Sequence, residues 1–451
     1  MAITTLCTEL LEMCFQHLSP ADLFSCIVVC QHFTWVIQNS PNLIYKLEKH
    51  KGCVTETFLL KTEGVVQQLS CLRTFLKQRS EWLHSPILVH LVEETPALGF
   101  WKCISGCFVS LNDCFTMQII LPTAPSSPRL IERQHTIEGF SIDSEQDLLI
   151  LKEHWEENNE ITLGILSLKD GSPHPFAIQE YLKFDNEELE LVFHSQPVIK
   201  DNMVAIQLQY TDVEDGEFVL VLDWRSATQL VDLPANVPDC FAFLSADRMV
   251  VGWQQASGFE LRIHKLSSGA MATKLPFPPP WTANPRSFST GVDGNGGGLS
   301  SQFATAFNDR IAALSLAINN GGDSPLYAFI IFSRQSLLDA IEFHNSSPEI
   351  LWDGWTKCVF FQPADVDLLP SPSGRMLVLK VGNKFLIHRF PVGYFKRSDN
   401  SFQKELPELV GYLPTIEAAE ETVVLNEDLI GLTSRCSGIL YSLLNSSAIR
   451  S

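Results

Sequence analysis

The sequence contains no run of five or more Lys or Arg residues, and its 32 basic side chains face 52 acidic ones, for a formal net charge of −20. A phosphate backbone would meet repulsion on average, with no basic stretch to reverse it locally, so nucleic acid is not an expected partner. Long apolar runs are also missing. Crossing a bilayer takes roughly 18–20 consecutive apolar residues, whereas the longest candidates here, at 26–30 and 327–332, are short. The opening MAITTLCTELLEMC has no basic segment and carries Glu9 and Glu12 where an export signal would be apolar. The expected location is therefore the cytoplasm, the nucleus or both. Catalytic signatures are absent as well: there is no Gly-x-Ser-x-Gly, no Gly-x-x-x-x-Gly-Lys, no His-Glu-x-x-His and no Cys-x-x-Cys. The twelve cysteines are scattered without a disulfide framework, which suits reduced, buried thiols.

What is present begins with helices. Leu10, Leu11, Cys14, Phe15 and Leu18 fall on one apolar band of a helix starting near Thr8. Ser19 fits an N-cap, Pro20 the first helical position, and Asp22 the acidic first turn of a second helix. Leu23, Cys26, Ile27 and Cys30 continue the apolar band, and Phe33, Trp35 and Ile37 belong to a third helix that must end by Ser40, ahead of Pro41. Three helices of this size cannot bury so much apolar surface among themselves, so another surface is expected to cover it. Cys14, His17, Cys26, Cys30 and His32 offer metal-ligand chemistry, but they sit on helical bands rather than around a turn, which favours buried thiols over zinc.

Over residues 6–47 the chain resembles the F-box family. The match is carried by Leu6, Glu9, Leu10, Leu11, Phe15, Leu18, Ser19-Pro20, Asp22-Leu23, Val29-Cys30, Phe33 and Leu43. It departs at Cys7, where the family usually has Pro, and at Tyr45, near where many members carry Trp. The resemblance implies docking on a Skp-family linker protein and, through it, on a cullin scaffold. The adaptor-binding positions it implies are Leu6, Leu10, Leu11, Phe15, Leu18, Pro20, Leu23, Val29, Cys30 and Phe33.

Residues 58–94 read as one or two helices, with Arg73, Lys77 and Arg79 on a solvated face and a boundary near Thr95-Pro96. Beyond residue 100 the chain turns to short runs of alternating apolar and polar residues bounded by Gly, Asn, Asp and Pro, the signature of β-hairpins. A unit of turn, inner strand, turn and outer strand recurs, with inner strands starting near Phe108, Leu148, Met203, Met249, Ile311, Met376 and Leu429. Seven starts predict about seven irregular blades of a β-propeller, because radial repetition protects strand edges; a jelly-roll pair is the alternative. The glycine-rich GVDGNGGG at 291–298 is expected to be a flexible loop within an insertion.

With its F-box, its tail SPNLIYKLE, its IDSEQDLLILKE and its late NEDLIGL, the whole chain is similar to F-box proteins with an irregular propeller that are expanded in mushroom-forming fungi. The expected fold is α+β and multidomain: a three-helix F-box at 1–50, a helical linker at 51–95 and a WD-like all-β propeller at 96–451. The expected function is that of a non-enzymatic substrate receptor of a cullin-RING ubiquitin ligase, with no cofactor, no metal, no membrane and an unidentified protein target. The alternatives are a propeller hydrolase acting on a small ester or sugar, and an interaction scaffold that works outside any ligase. Arg248, Arg310 and Arg375, each just before an inner strand, and Trp155 and Trp253 are the candidate target-binding residues; solvated turns and blade packing are the plainer explanations for them.

Overall fold

The computed structural model describes residues 6–52, 54–56, 64–81 and 87–92 and, from 101 to 442, the strands and helices given below with part of their connections. Five helices come first: α1 (Thr8–Gln16), α2 (Pro20–Ile27), α3 (Gln31–Asn39), α4 (Pro41–Gly52) and α5 (Val65–Glu81). The first three lie where the apolar spacing predicts them. The fourth helix starts directly after Ser40, and its Leu43 and Leu47 join Leu11, Phe15, Leu23, Phe33, Val36 and Ile37 in one core. Part of the cover expected from another surface is thus supplied by α4.

After α5 the described residues form seven antiparallel sheets, six of them built from strands in chain order. Sheet I lies within 101–132, II within 136–183, III within 191–234, IV within 241–276, V within 282–364 and VI within 371–414. Sheet VII takes three strands from within 422–442, and its fourth is Ile87–Val92, paired antiparallel with Gly438–Ser442. A strand therefore stands in the stretch expected to be helical linker. Its short apolar run ILVHLV carries no alternation, and the partner that makes it a strand lies at the far end of the chain.

The first strands of successive sheets approach one another from I to II, II to III, IV to V, V to VI and VI to VII, and the first strand of VII returns to that of I. Sheets III and IV meet through a shared core of Met203, Val221 and Leu233 with Phe241 and Met249, so the circuit closes as a propeller with first strands toward the centre. The seven predicted starts all fall on the second strand of a sheet, not on the innermost. The first strand is three or four residues long in five sheets, such as Phe241–Phe243 in IV and Ser371–Ser373 in VI. In sheet III it is split into Leu191–Phe193 and Val198–Lys200, both paired with Met203–Tyr210. Strands this short carry little apolar signal.

The core lies between sheets. In Leu148–Trp155, Leu149 and Leu151 pack with Val109, Met117 and Ile119 of sheet I, while Leu148 and Ile150 pack with Val204, Ile206 and Trp224 of sheet III. Burial on both faces explains the unbroken LLIL. Met249 and Val251 turn to sheet III, and Val250 turns to Ile330 and Phe332 of sheet V. Each such fully buried side chain contributes about 1.5–3 kcal/mol relative to exposure. The polar turns before the second strands are likewise repeated: Asp147 in sheet II and Asp201 in sheet III both adopt φ 55°, a conformation Asp tolerates.

Between the third and fourth strands of sheet V the chain inserts α6 (Arg334–Phe343) and α7 (Trp352–Trp355). Leu337, Ile341, Ile350 and Trp355 enter the core between sheets IV and V, and Trp355 meets Phe277 edge-on at 5.2 Å. The segment between the two helices runs parallel to the outer strand of sheet IV, where Lys274 N donates to Pro348 O (3.0 Å) and Ile350 N donates to Lys274 O (2.9 Å). An exposed edge is covered in this way. A second insertion contributes Phe303–Thr305, which pairs antiparallel with Val54–Glu56 beside the N-terminal helices. The GVDGNGGG stretch itself lies outside the described residues.

Close packing between strands sets a clear test at Gly252. A Cβ added there would collide with Cys240 Sγ and lie 2.9 Å from Cys240 Cβ. Gly252→Ala is expected to destabilise the ring by about 1–3 kcal/mol, read as a lowered denaturant midpoint; an unchanged midpoint would contradict the packing described.

Candidate docking surfaces

Ser19 caps α2: its Oγ accepts from Asp22 N at 3.1 Å and donates to Asp22 Oδ2 at 2.7 Å, with Pro20 at the first helical position. Asp22 beside the thiol and partial burial raise the pKa of Cys26, burial being the larger cause. On α1, Glu9 is held below the usual carboxylate range by its own backbone amide and by Cys7. The helices are tied together by Thr34 Oγ1, which donates to Ile27 O at 2.6 Å, and by Lys46 Nζ, which donates to Gln16 O (2.9 Å) and Leu18 O (2.5 Å) at the C-terminal end of α1. A cation there also suits the helix dipole. Phe15 and Phe33 meet edge-to-face at 5.1 Å. Beyond them, Tyr45 of α4 packs with Val54, Leu69, Leu72 and Phe75, and Arg73 of α5 pairs with Glu48 at 2.7 Å.

This internal order divides the implied adaptor-binding positions. Leu11, Phe15, Leu23 and Phe33 are buried in the helices' own core. Leu6, Leu18 and Cys30 are half-buried against that core, and Pro20 is also half-buried. Leu10 and Val29 face solvent, with Val29 64% exposed. Three other residues of α1 and α2 and their ends join them, Met13, Phe24 and Val28, and so does Trp35 on α3, with Val28 84% exposed. Six of the fifteen large exposed hydrophobics among the described residues thus fall within the first 35 positions, a density that needs explaining. The band spaced i, i+1, i+4, i+5 on α1 is wider than one contact: Leu11 and Phe15 turn inward while Leu10, Met13 and Cys14 turn outward. The i, i+3 spacing of Leu10 and Met13 is the signal that marks this second face. Among the described residues no three His, Cys, Asp or Glu side chains converge as a metal group would require.

On the ring, Arg248 is the first residue of the second strand of sheet IV; its Nε and Nη1 are shielded from solvent with no acceptor. Arg310 and Arg375 lie outside the described residues. Trp155 ends the second strand of sheet II, so it sits at the opposite end of the ring from Arg248. It stacks on His135 at 4.3 Å, meets Tyr181 edge-on at 5.2 Å and has Lys183 Nζ 4.5 Å above its ring. Beside it, Arg133 Nε pairs with the buried Glu153 at 2.6 Å and Nη2 donates to Tyr181 Oη at 2.5 Å. Burial pushes the Tyr181 phenol up to about 12. Trp253 is covered by Arg262, whose guanidinium carbon stands 3.7 Å above the ring while its Nε pairs with Glu260 at 2.7 Å. Both tryptophans therefore meet cations of their own sheets.

The model of the F-box domain matches residues 3–34. An F-box domain implies an adaptor role in ubiquitin ligation, and such domains generally bind Skp1-type linkers. This chain carries an F-box domain followed by a propeller. No curated protein matches the sequence. Among solved structures, the C-terminal WD40 domain of Sif2 is similar at 8% identity and a TM-score of 0.41, covering 79% of this chain and 98% of that one. Kuenenia stuttgartiensis hydrazine synthase is similar at 9% identity and a TM-score of 0.44, covering 80% of this chain and 97% of that one. No described helix is long and apolar enough to cross a membrane.

The split between core and face has a direct test. Leu23→Asp is expected to melt the N-terminal helices and Leu10→Asp to leave them intact, measured by hydrogen exchange over residues 8–47. Ser19→Ala should cost about 1 kcal/mol through the lost cap.

Proposed function

We propose that the chain is a substrate receptor of a cullin-RING ubiquitin ligase, with its F-box held by a Skp-family linker and its propeller holding a protein target. The observation that carries this reading is the set of exposed apolar side chains, Leu10, Met13, Phe24, Val28, Val29 and Trp35, around a helical module that already has a complete core of its own. Such a surface suits a second chain, whose linker would bury it. The target would be brought close to the ligase's transferring subunit, and the gain comes from effective concentration, with no catalytic side chain asked of this protein. The proposed division of labour is docking at 1–50, spacing by the segment that follows, and target binding by the ring.

Adaptor binding is expected to fall at least tenfold in the Leu10→Asp/Val28→Asp double variant with the helices still folded, measured by calorimetry against a purified Skp-family linker. Undiminished affinity would overturn the docking face. Ubiquitin transfer in a reconstituted ligase separates a receptor from a scaffold that binds the linker but joins no ligase.

A further inference from the structure

A second apolar group stands exposed on the ring, in a setting unlike an ordinary loop. The connection between the third and fourth strands of sheet II, residues 168–180, reads KDGSPHPFAIQE from Lys169 and gives no apolar pattern. Yet it is held at many points. His174 N donates to Ile165 O (3.0 Å), Ser167 N donates to Ser172 O (2.8 Å) and Ile165 N donates to Glu180 O (2.7 Å). The His174 ring is buried edge-on against Trp224 of sheet III at 4.8 Å, with Nε2 2.9 Å from Gln146 O. Ala177 packs on the core between sheets II and III, and Ile178 N donates to Arg225 O at 2.9 Å. The loop is stapled across two sheets. From this fixed frame Phe176 and Ile178 project into solvent, 70% and 74% exposed.

Arg225 completes the group. Its guanidinium lies over the rings of Trp224 (5.1 Å) and Phe176 (6.0 Å), and Nη2 donates to Gln146 Oε1 at 3.0 Å. Among the described residues no carboxylate stands within ion-pair distance of it. An aromatic, an aliphatic and an arginine held in place before any partner arrives are the residue types that dominate binding energy, and fixing them in advance lowers the entropy lost on association. In a chain of net charge −20, an arginine held without a carboxylate favours an acidic partner at this spot.

We propose that Phe176, Ile178 and Arg225 form a docking surface for a protein segment in which a bulky apolar side chain stands next to a carboxylate. The apolar side chain lies against Phe176 and Ile178 while the carboxylate pairs with the guanidinium. Only the description of that segment as a ligase target rests on the receptor reading; the surface itself does not. It opens at the same end of the ring as Arg248, since both lie at turns preceding second strands or following third strands.

The test is selection of a displayed random-peptide library on the full-length protein. Enriched peptides are expected to share an Asp or Glu beside a large apolar residue and to bind the Phe176→Ala/Ile178→Ala and Arg225→Glu variants at least tenfold more weakly. Replacing the peptide's acid with Lys should abolish binding to the unaltered protein and restore at least part of it on Arg225→Glu. No enriched peptide, enrichment without an acid, or affinities within twofold on all variants would overturn the proposal. So would sedimentation showing self-association that only the Phe176→Ala/Ile178→Ala variant abolishes, which would assign the face to a second copy. Co-purification with a Skp-family linker, measured on the same variants, is expected to persist, so failure of this surface and failure of the receptor reading give different results.

Discussion

Everything in the ring depends on sheets that are apolar on both faces. A sheet such as II has no solvent side along its middle strands: Leu149 and Leu151 need sheet I, and Leu148 and Ile150 need sheet III. No single blade could keep its strands dry alone, so stability belongs to the seams between blades and the circuit has to close. Polar functions are thereby pushed to the ends of the strands. The asparatate-bearing turns, Arg248 and the stapled loop at one end, and Trp155 with Arg133 and Glu153 toward the other, occupy the positions that seam packing leaves over.

The N-terminal helices solve a different problem. Their core is small and needs α4, whose Leu43 and Leu47 fill it while Lys46 holds the end of α1. Once that core is satisfied, the remaining apolar side chains have no internal use. Packing of Tyr45 with α5 and pairing of Val54–Glu56 with Phe303–Thr305 then connect the module to a strand that belongs to a propeller insertion.

Much of this was legible in the amino-acid sequence, for identifiable reasons. Second strands were legible because short alternating runs such as Val204–Tyr210 stand between turn residues, whereas two-faced burial writes the unbroken LLIL. Five of the innermost strands were not, because three or four residues cannot show a period. Helix α2 was visible down to its cap, since Ser19, Pro20 and Asp22 act through local chemistry alone. The sidedness of α1 was not, because Leu10 and Leu11 are equally apolar and only the position of α4 decides which is covered. Ile87–Val92 needed a partner some 350 residues away to become a strand, and Phe176 and Ile178 sit among polar and turn-forming neighbours, where nothing local says that the loop is rigid.

The fourth strand of sheet VII precedes the rest of the ring in the chain, whereas its partner Gly438–Ser442 comes near the C-terminus. During translation the F-box helices and Ile87–Val92 leave the ribosome together, but the strand's partner follows only after more than 300 further residues, roughly 15–70 s later at ordinary elongation rates. The helices, whose contacts are local, are free to fold in that interval. The seventh sheet stays incomplete until Gly438–Ser442 has been made, so a finished helical module precedes a closed ring on the growing chain.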